Sequence, residues 1–190
     1  MRLACIGAQN TGKTTFIKEF IKRYPDYKTP VETYRDIIKK RKLKINREGT
    51  IANQWIIFDS IVKQYTEEQP ENVIFDRSPL DAFIYTVYIA GNDEGLHDMY
   101  EQAVACMKTL DCILWFPAKG NDFPIKKDGL RDTDPEYRIK IDNLFRTYLH
   151  DRLYDYKKVC ELSGDTEEKI AKVEMVMVGK DAYPDFNQLF

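Results

Sequence analysis

The chain has 190 residues, of which 43% are hydrophobic and 32% charged, and its formal net charge is −2. That length suits one domain with a real core. The charge balance disfavours stable, sequence-independent binding to nucleic acid and leaves only the local basic run Lys39–Lys44 in its favour. Apolar runs stay well short of the ~18 residues that suggest a membrane span. The sequence opens on an apolar strand pattern, so no signal peptide is expected and a cytoplasmic location is.

In chain order, Leu3–Ile6 reads as a buried strand, and Gly7-Ala8-Gln9-Asn10-Thr11-Gly12 as a turn. Lys13-Thr14-Thr15 opens a helix that runs to Tyr24 and stops at Pro25. The stretch matches G-x-x-x-x-G-K-[ST], the phosphate-binding P-loop. Its glycines let the backbone bend and bring N–H groups close to phosphate oxygens, and the following helix adds its positive end. Gly7, Ala8, Gln9, Asn10, Thr11, Gly12, Lys13, Thr14 and Thr15 are therefore the candidate ATP-binding residues. Lys13 would act on the outer phosphates, and Thr14 on Mg²⁺.

Further apolar runs at Tyr27–Val31, Val73–Phe75, Cys112–Phe116 and Lys158–Leu162 read as strands. Helix patterns fall at Thr33–Lys42, Arg47–Glu68, Pro79–Ala90, Glu94–Thr109, Asp134–Arg152 and Thr166–Val178. On Arg47–Glu68, Ile51, Trp55, Phe58, Val62 and Tyr65 recur at steps of four and three and share a face. Asp134-Pro135 is a helix start, and Asp165 with Glu168 forms a capping-box pattern. Strands alternating with helices imply an α/β domain with a parallel sheet covered on both faces, its ligands at the carboxyl ends of the strands.

The polar segment Ala118–Asp134 is long for a compact domain and reads as functional or disordered. The tail beyond residue 178 carries Tyr183, Phe186, Leu189 and Phe190, which pack on the domain or contact a partner, a second copy of the chain included. Cys5, Cys106, Cys112 and Cys160 lack C-x-x-C spacing and read as reduced thiols. With only two histidines, no zinc constellation can be assembled.

A motor ATPase favours an apolar strand ending in Asp-Glu, but Val73-Ile74-Phe75 runs into Asp76-Arg77-Ser78. The Asp-x-x-Gly and Asn/Thr-Lys-x-Asp elements of GTPase switches are not in the sequence. Phosphoryl transfer to a bound acceptor fits better. Asp76 would hold Mg²⁺, directly or through water, share a base role, or pair with Arg77. Arg35 and Arg77 would bind a phosphate or sugar hydroxyl, or serve structural pairing. Arg131 and Arg138 flank the junction of the long loop with the next helix and fit lid arginines that neutralise the transferring phosphoryl, or solvated lid charge.

The Gly7–Thr15 loop, Val31-Glu32-Thr33-Tyr34-Arg35, Asp76-Arg77-Ser78-Pro79-Leu80-Asp81 and Asp128-Gly129-Leu130-Arg131-Asp132 follow one another in this order. In that order the chain resembles the P-loop kinase family that includes the nicotinamide riboside kinase domain of bacterial NAD-metabolism regulators. It resembles more distantly the deoxynucleoside kinases. The resemblance implies a P-loop NTPase three-layer sandwich, with a five-stranded parallel sheet and a lid at about residues 118–134. It also implies an ATP base held near Gly164. In the deoxynucleoside kinases the strand-end Glu matching Glu32 is the general base, a helix Gln matching Gln54 reads the acceptor's base, and an aromatic residue, here Phe58, stacks on it. Glu32 as a helix cap, Gln54 as a boundary residue, Phe58 as core and Gly164 as a plain turn residue stay open as alternatives. The expected acceptor is a nucleoside or nucleotide-like molecule. A hydroxylated base or end of DNA or RNA is the second reading, and an ATP-binding regulator or weak ATPase the third.

Overall fold

A computed structural model describes residues 1–121, 132–151 and 159–179. Strand β1 (Arg2–Ile6) alternates its side chains, sending Leu3 and Cys5 to one face and Ala4 and Ile6 to the other. It pairs in parallel with β2 (Val73–Asp76) on one side and β3 (Cys112–Trp115) on the other, in the registers Ala4↔Phe75 and Ala4↔Ile113. Strand β4 (Val159–Glu161) extends the sheet beyond β3 through Leu114↔Cys160, giving the order β2-β1-β3-β4.

Leu3, Cys5, Ile74 and Leu114 bury one face against Phe16 and Phe20 of α1 (Lys13–Arg23) and Ile170 and Val173 of α7 (Thr166–Met177). The other face meets α3 (Ile51–Thr66), α4 (Pro79–Ala90), α5 (His97–Met107) and α6 (Pro135–Asp151), through Phe58, Phe83, Met99 and Phe145. Each such side chain contributes roughly 1.5–3 kcal/mol of burial. The result is the expected three-layer sandwich. All four cysteines are buried free thiols. Among the described residues, no helix is long and apolar enough to cross a membrane.

The sequence pattern predicts five strands, and the described residues hold four. Of Tyr27–Val31, only Lys28 joins the sheet, by a single parallel bridge to Val73. Pro30 has no N–H to continue a ladder, and Val31 is fully exposed at 102%. The long helix expected over Arg47–Glu68 is also split. A 3₁₀ turn covers Asn46–Glu48, Gly49 is extended, and Thr50 caps α3 by accepting from the Asn53 N–H at 3.1 Å. Helix α2 (Tyr34–Arg41) and α4 start with full capping boxes, Thr33 with Asp36 and Ser78 with Asp81. The Asp165–Glu168 box forms at α7 as the spacing predicts.

Candidate active site

The loop from Gly7 to Gly12 closes because three of its residues take positive φ: Gly7 at 129°, Asn10 at 58° and Gly12 at 86°. At Gly7 a Cβ would sit 2.5 Å from the Phe116 carbonyl oxygen, so the loop lies against the end of β3 where only glycine fits. No side chain caps α1 at Gly12, and its N-terminus faces the pocket. Lys13 curls back into the loop. Its Nζ donates to the Gly7 carbonyl at 2.9 Å, to Thr11 Oγ1 at 2.9 Å, and to the Ala8 carbonyl. Burial pulls its pKa down to about 7, the Arg77 charge adds to that, and Asp81 and Asp76 oppose it.

The carboxyl end of β2 supplies the second half of the site. Thr14 Oγ1 donates to Asp76 Oδ2 at 2.9 Å. Arg77 holds a left-handed backbone at φ 97°, a strained conformation for a non-glycine residue. That conformation is held from several directions. Its carbonyl accepts from the Tyr65 hydroxyl at 3.2 Å, and its guanidinium donates to the Gly7 carbonyl at 2.7 Å and to Asp81 Oδ1 at 2.8 Å. The guanidinium also lies between the rings of Tyr34 and Tyr85, 5.6 and 5.4 Å from their centres.

Asp81, 2% exposed, gathers this corner together. One oxygen accepts from the Gly7 N–H at 3.3 Å and from Arg77, the other from the Ser78 N–H at 2.9 Å and hydroxyl at 2.8 Å. Sequence reasoning gave Asp81 no place in the site, although the Ser78-x-x-Asp81 capping spacing marked it. Tyr34 and Tyr85 were missed as well, and no spacing in the sequence singles them out.

A cavity of about 960 Å³, its open mouth included, runs from residues 9–15 of the loop past Asp76 and Arg77. Its far wall is apolar, made by Ile38, Ile45, Ile57, Ile61 and Ala82, with Arg35, Asn46 and the buried Gln54 among them. Of the predicted residues, Gln9 to Thr15, Arg35, Gln54, Asp76 and Arg77 line this cavity, while Gly7 and Ala8 close the loop behind Lys13.

Other predicted residues lie elsewhere. Glu32 is exposed beside a separate groove between α2 and α3, because the chain leaves the sheet after Lys28 and never carries it to the loop. Its backbone carbonyl accepts from Gln64 Nε2 at 2.9 Å. Phe58 is 0% exposed and stacks edge-on with Trp55, so it is core and not a platform for ligand. Arg138 is buried in the first turn of α6, away from the cavity lining. Gly164, at φ 90°, makes a turn whose N–H bonds the Gly120 carbonyl at 3.1 Å; a Cβ there would stand 2.1 Å from Glu168 Oε2.

Arg131 and most of the expected lid, residues 122–131, lie outside the described residues, as does the tail from residue 180 on. The described residues on either side of that segment are anchored. The Ala118 N–H donates to Asp142 at 2.8 Å, and Asn121 Nδ2 donates to the Pro117 and Leu162 carbonyls at 2.9 and 2.8 Å. At the other end, Arg47 grips Asp132 at 2.6 Å and Asp134 at 3.2 Å.

No curated protein matches the sequence. Among solved structures, the chain is similar to the NadR protein in complex with NAD and AMP-PNP, with a TM-score of 0.68 and 17% identity over 94% of this chain and 49% of that one. The NadR protein in complex with NR gives 0.65 and 21% over 86% and 46%. Deoxyadenosine kinase from M. mycoides with bound dATP gives 0.64 and 20% over 94% and 100%. The chain thus spans about half the length of NadR and the full length of the mycoplasma kinase. These likenesses show the fold, an α/β three-layer sandwich of the P-loop NTPase kind. A family model described as AAA domain matches residues 2–169, and the chain belongs to that AAA domain family.

Proposed function

We propose that the chain is an ATP-dependent kinase that transfers the γ-phosphoryl group to a hydroxyl of a nucleoside-like acceptor. The observation behind this is the continuity of the cavity, which passes without a wall from the P-loop into an isoleucine-lined compartment holding a buried amide, Gln54. An ATPase that activates only water has no use for such a compartment. A flat, partly apolar acceptor does, with an amide to bond its polar edge. The fold similarity to NadR and to a deoxyadenosine kinase supports the same reading.

Thr14 and Asp76 pair a hydroxyl with a carboxylate at 2.9 Å, an oxygen set suited to Mg²⁺, and they are the residues that would hold it. When bound, the ion neutralises charge on the phosphate oxygens. The chain's own contribution is largely positioning. The N–H groups of the loop and Lys13 hold the phosphates, and Gln54 and the isoleucine wall orient the acceptor. Arg35, in the same wall, would bind a phosphate or sugar hydroxyl of the acceptor. The acceptor oxygen forms its bond to the γ-phosphorus as the bond to the ADP oxygen breaks. Its proton leaves late, to Asp76, because a loose transition state asks little of a base. Asp81 also lines the cavity, but its oxygens are committed to Gly7, Arg77 and Ser78.

The acceptor as part of a nucleic acid has one supporting observation. Lys39, Lys40, Arg41, Lys42 and Lys44 are exposed between Ile38 and Ile45, two residues of the cavity wall. Transfer from γ-labelled ATP with Mg²⁺ to a panel of nucleosides, nucleotides, single-stranded DNA and duplex DNA tests both readings. Label on a nucleoside is the expected result. Label on DNA alone moves the assignment to a nucleic-acid kinase. Tight ATP binding with no transfer to any acceptor overturns both in favour of a nucleotide-sensing regulator.

A further inference from the structure

Gln9 lies inside the P-loop, yet its side chain leans away from the loop. It is 4% exposed and lines the cavity, and its Oε1 accepts from the Tyr85 hydroxyl of α4 at 2.9 Å. Its Nε2 is buried with no hydrogen-bond partner. A buried donor left unmade costs folding free energy and is rarely kept without a use.

The Tyr85 hydroxyl orients this amide, and Arg77 packs on the Tyr85 ring. Arg77 is locked by the Gly7 carbonyl and by Asp81, and its guanidinium lies over the Tyr85 ring, 5.4 Å from the centre. With its ring held there, the Tyr85 hydroxyl donates to Gln9 Oε1. With Oε1 turned to Tyr85, Nε2 is left as the buried, unpartnered end of an amide whose residue lines the cavity. The tether to α4 holds the amide over the acceptor half, beside Ala82 and Tyr85. The inward backbone N–H groups of the loop are left to the phosphates.

We propose that Gln9 Nε2 is a specificity-determining donor that bonds an oxygen of the acceptor, a hydroxyl or ring carbonyl, and that Arg77 and Tyr85 are the positioning residues that hold it in that sense. Gln9 then satisfies its donor only when an acceptor is seated, so the loop that holds the phosphoryl donor also reads the molecule receiving it. The role presupposes the kinase reading above.

The test measures ATP affinity by fluorescence titration, and steady-state transfer to deoxyadenosine, deoxycytidine and nicotinamide riboside, for the parent, Gln9→Met and Tyr85→Phe. Gln9→Met keeps the length of the side chain and removes the donor. For the acceptor that the parent uses, its KM is expected to rise roughly 10–100-fold, the usual worth of a buried hydrogen bond. ATP affinity should stay within about twofold. Tyr85→Phe releases the amide and should move the acceptor KM in the same direction by a smaller factor; it carries the test alone if Gln9→Met does not fold. An unchanged acceptor KM in a folded variant overturns the role of Gln9 while leaving the kinase reading intact. Weakened ATP binding with an unchanged acceptor KM also overturns it, since the donor then serves the nucleotide. A parent that transfers neither to these three acceptors nor to any member of the wider panel overturns the kinase reading and the role of Gln9 with it.

Discussion

The Thr14 hydroxyl donates to Asp76 Oδ2 at 2.9 Å across 62 residues of chain, joining the first turn of α1 to the end of β2. Both residues line the cavity, so the pair stands at the point where the phosphate loop meets the acceptor compartment. If the pair holds Mg²⁺, Asp76→Asn substitutes a neutral amide for a hard anionic ligand. Turnover should fall on the order of 10²-fold or more, and the Mg²⁺ concentration for half-maximal rate should rise. Transfer rates across an Mg²⁺ titration give the answer, and an unchanged midpoint would remove Asp76 from the cation site.

Lys13 carries a pH signature. Its folded pKa of about 7 lies below the ordinary lysine value of 10.5, so between those values the unfolded chain binds more protons than the folded one. The stability of the ligand-free protein should therefore rise with pH through that window. Lys13→Met should flatten the rise, as read from urea midpoints at pH 7 and pH 9. Phosphates placed against Lys13 restore its charge, so nucleotide binding at pH 8.5 should take up protons. Calorimetry in buffers of different ionisation enthalpy measures that uptake. Binding without uptake would place the phosphates away from Lys13. Lys13→Met should also lose transfer by about 10²-fold or more.

Glu32 and Asp76 give opposite expectations. Glu32 is exposed, outside the cavity, and its carbonyl holds Gln64. Glu32→Gln should leave single-turnover transfer within about threefold of the parent, whereas a positioned base is worth roughly 10²–10⁴-fold. A loss in that range would mean that residues 29–33 rearrange to bring Glu32 to the acceptor.

Asp81 and Arg77 form a buried pair, with side chains 2% and 11% exposed. Removing the anion strands a buried cation together with the Gly7 N–H. Asp81→Ala should cost about 3–5 kcal/mol in denaturant unfolding. It should also weaken nucleotide binding, because the loop loses its anchor at Gly7. Parent-like stability in Asp81→Ala would show that Arg77 has another anion available.

How much of this could be read in the sequence depended on the range of the interaction. The P-loop, the capping boxes at Ser78 and Asp165, the strand-helix alternation and the absence of an Asp-Glu strand end are local, and each follows from side chains a few residues apart. The three-layer sheet came with them, since period-two strands buried on both faces need helices above and below. The fifth strand did not, because Pro30 decides hydrogen bonding at a sheet edge whose partner lies over 40 residues away in β2.

Helix α3 shows the same limit inside the site. Its periodicity put Trp55, Phe58, Val62 and Tyr65 on one stripe, while Gln54, Ile57 and Ile61 form a second stripe next to it. Both stripes are largely apolar, so spacing could not say which faced ligand and which faced core; packing against α4 and β2 turned Phe58 inward and Gln54 to the cavity. The sandwiching of Arg77 between Tyr34 and Tyr85, the bond from Tyr85 to the Gln9 amide and the displacement of Glu32 are likewise tertiary. Each depends on groups from separate elements meeting in space, and a one-dimensional pattern records which groups exist, not which of them meet.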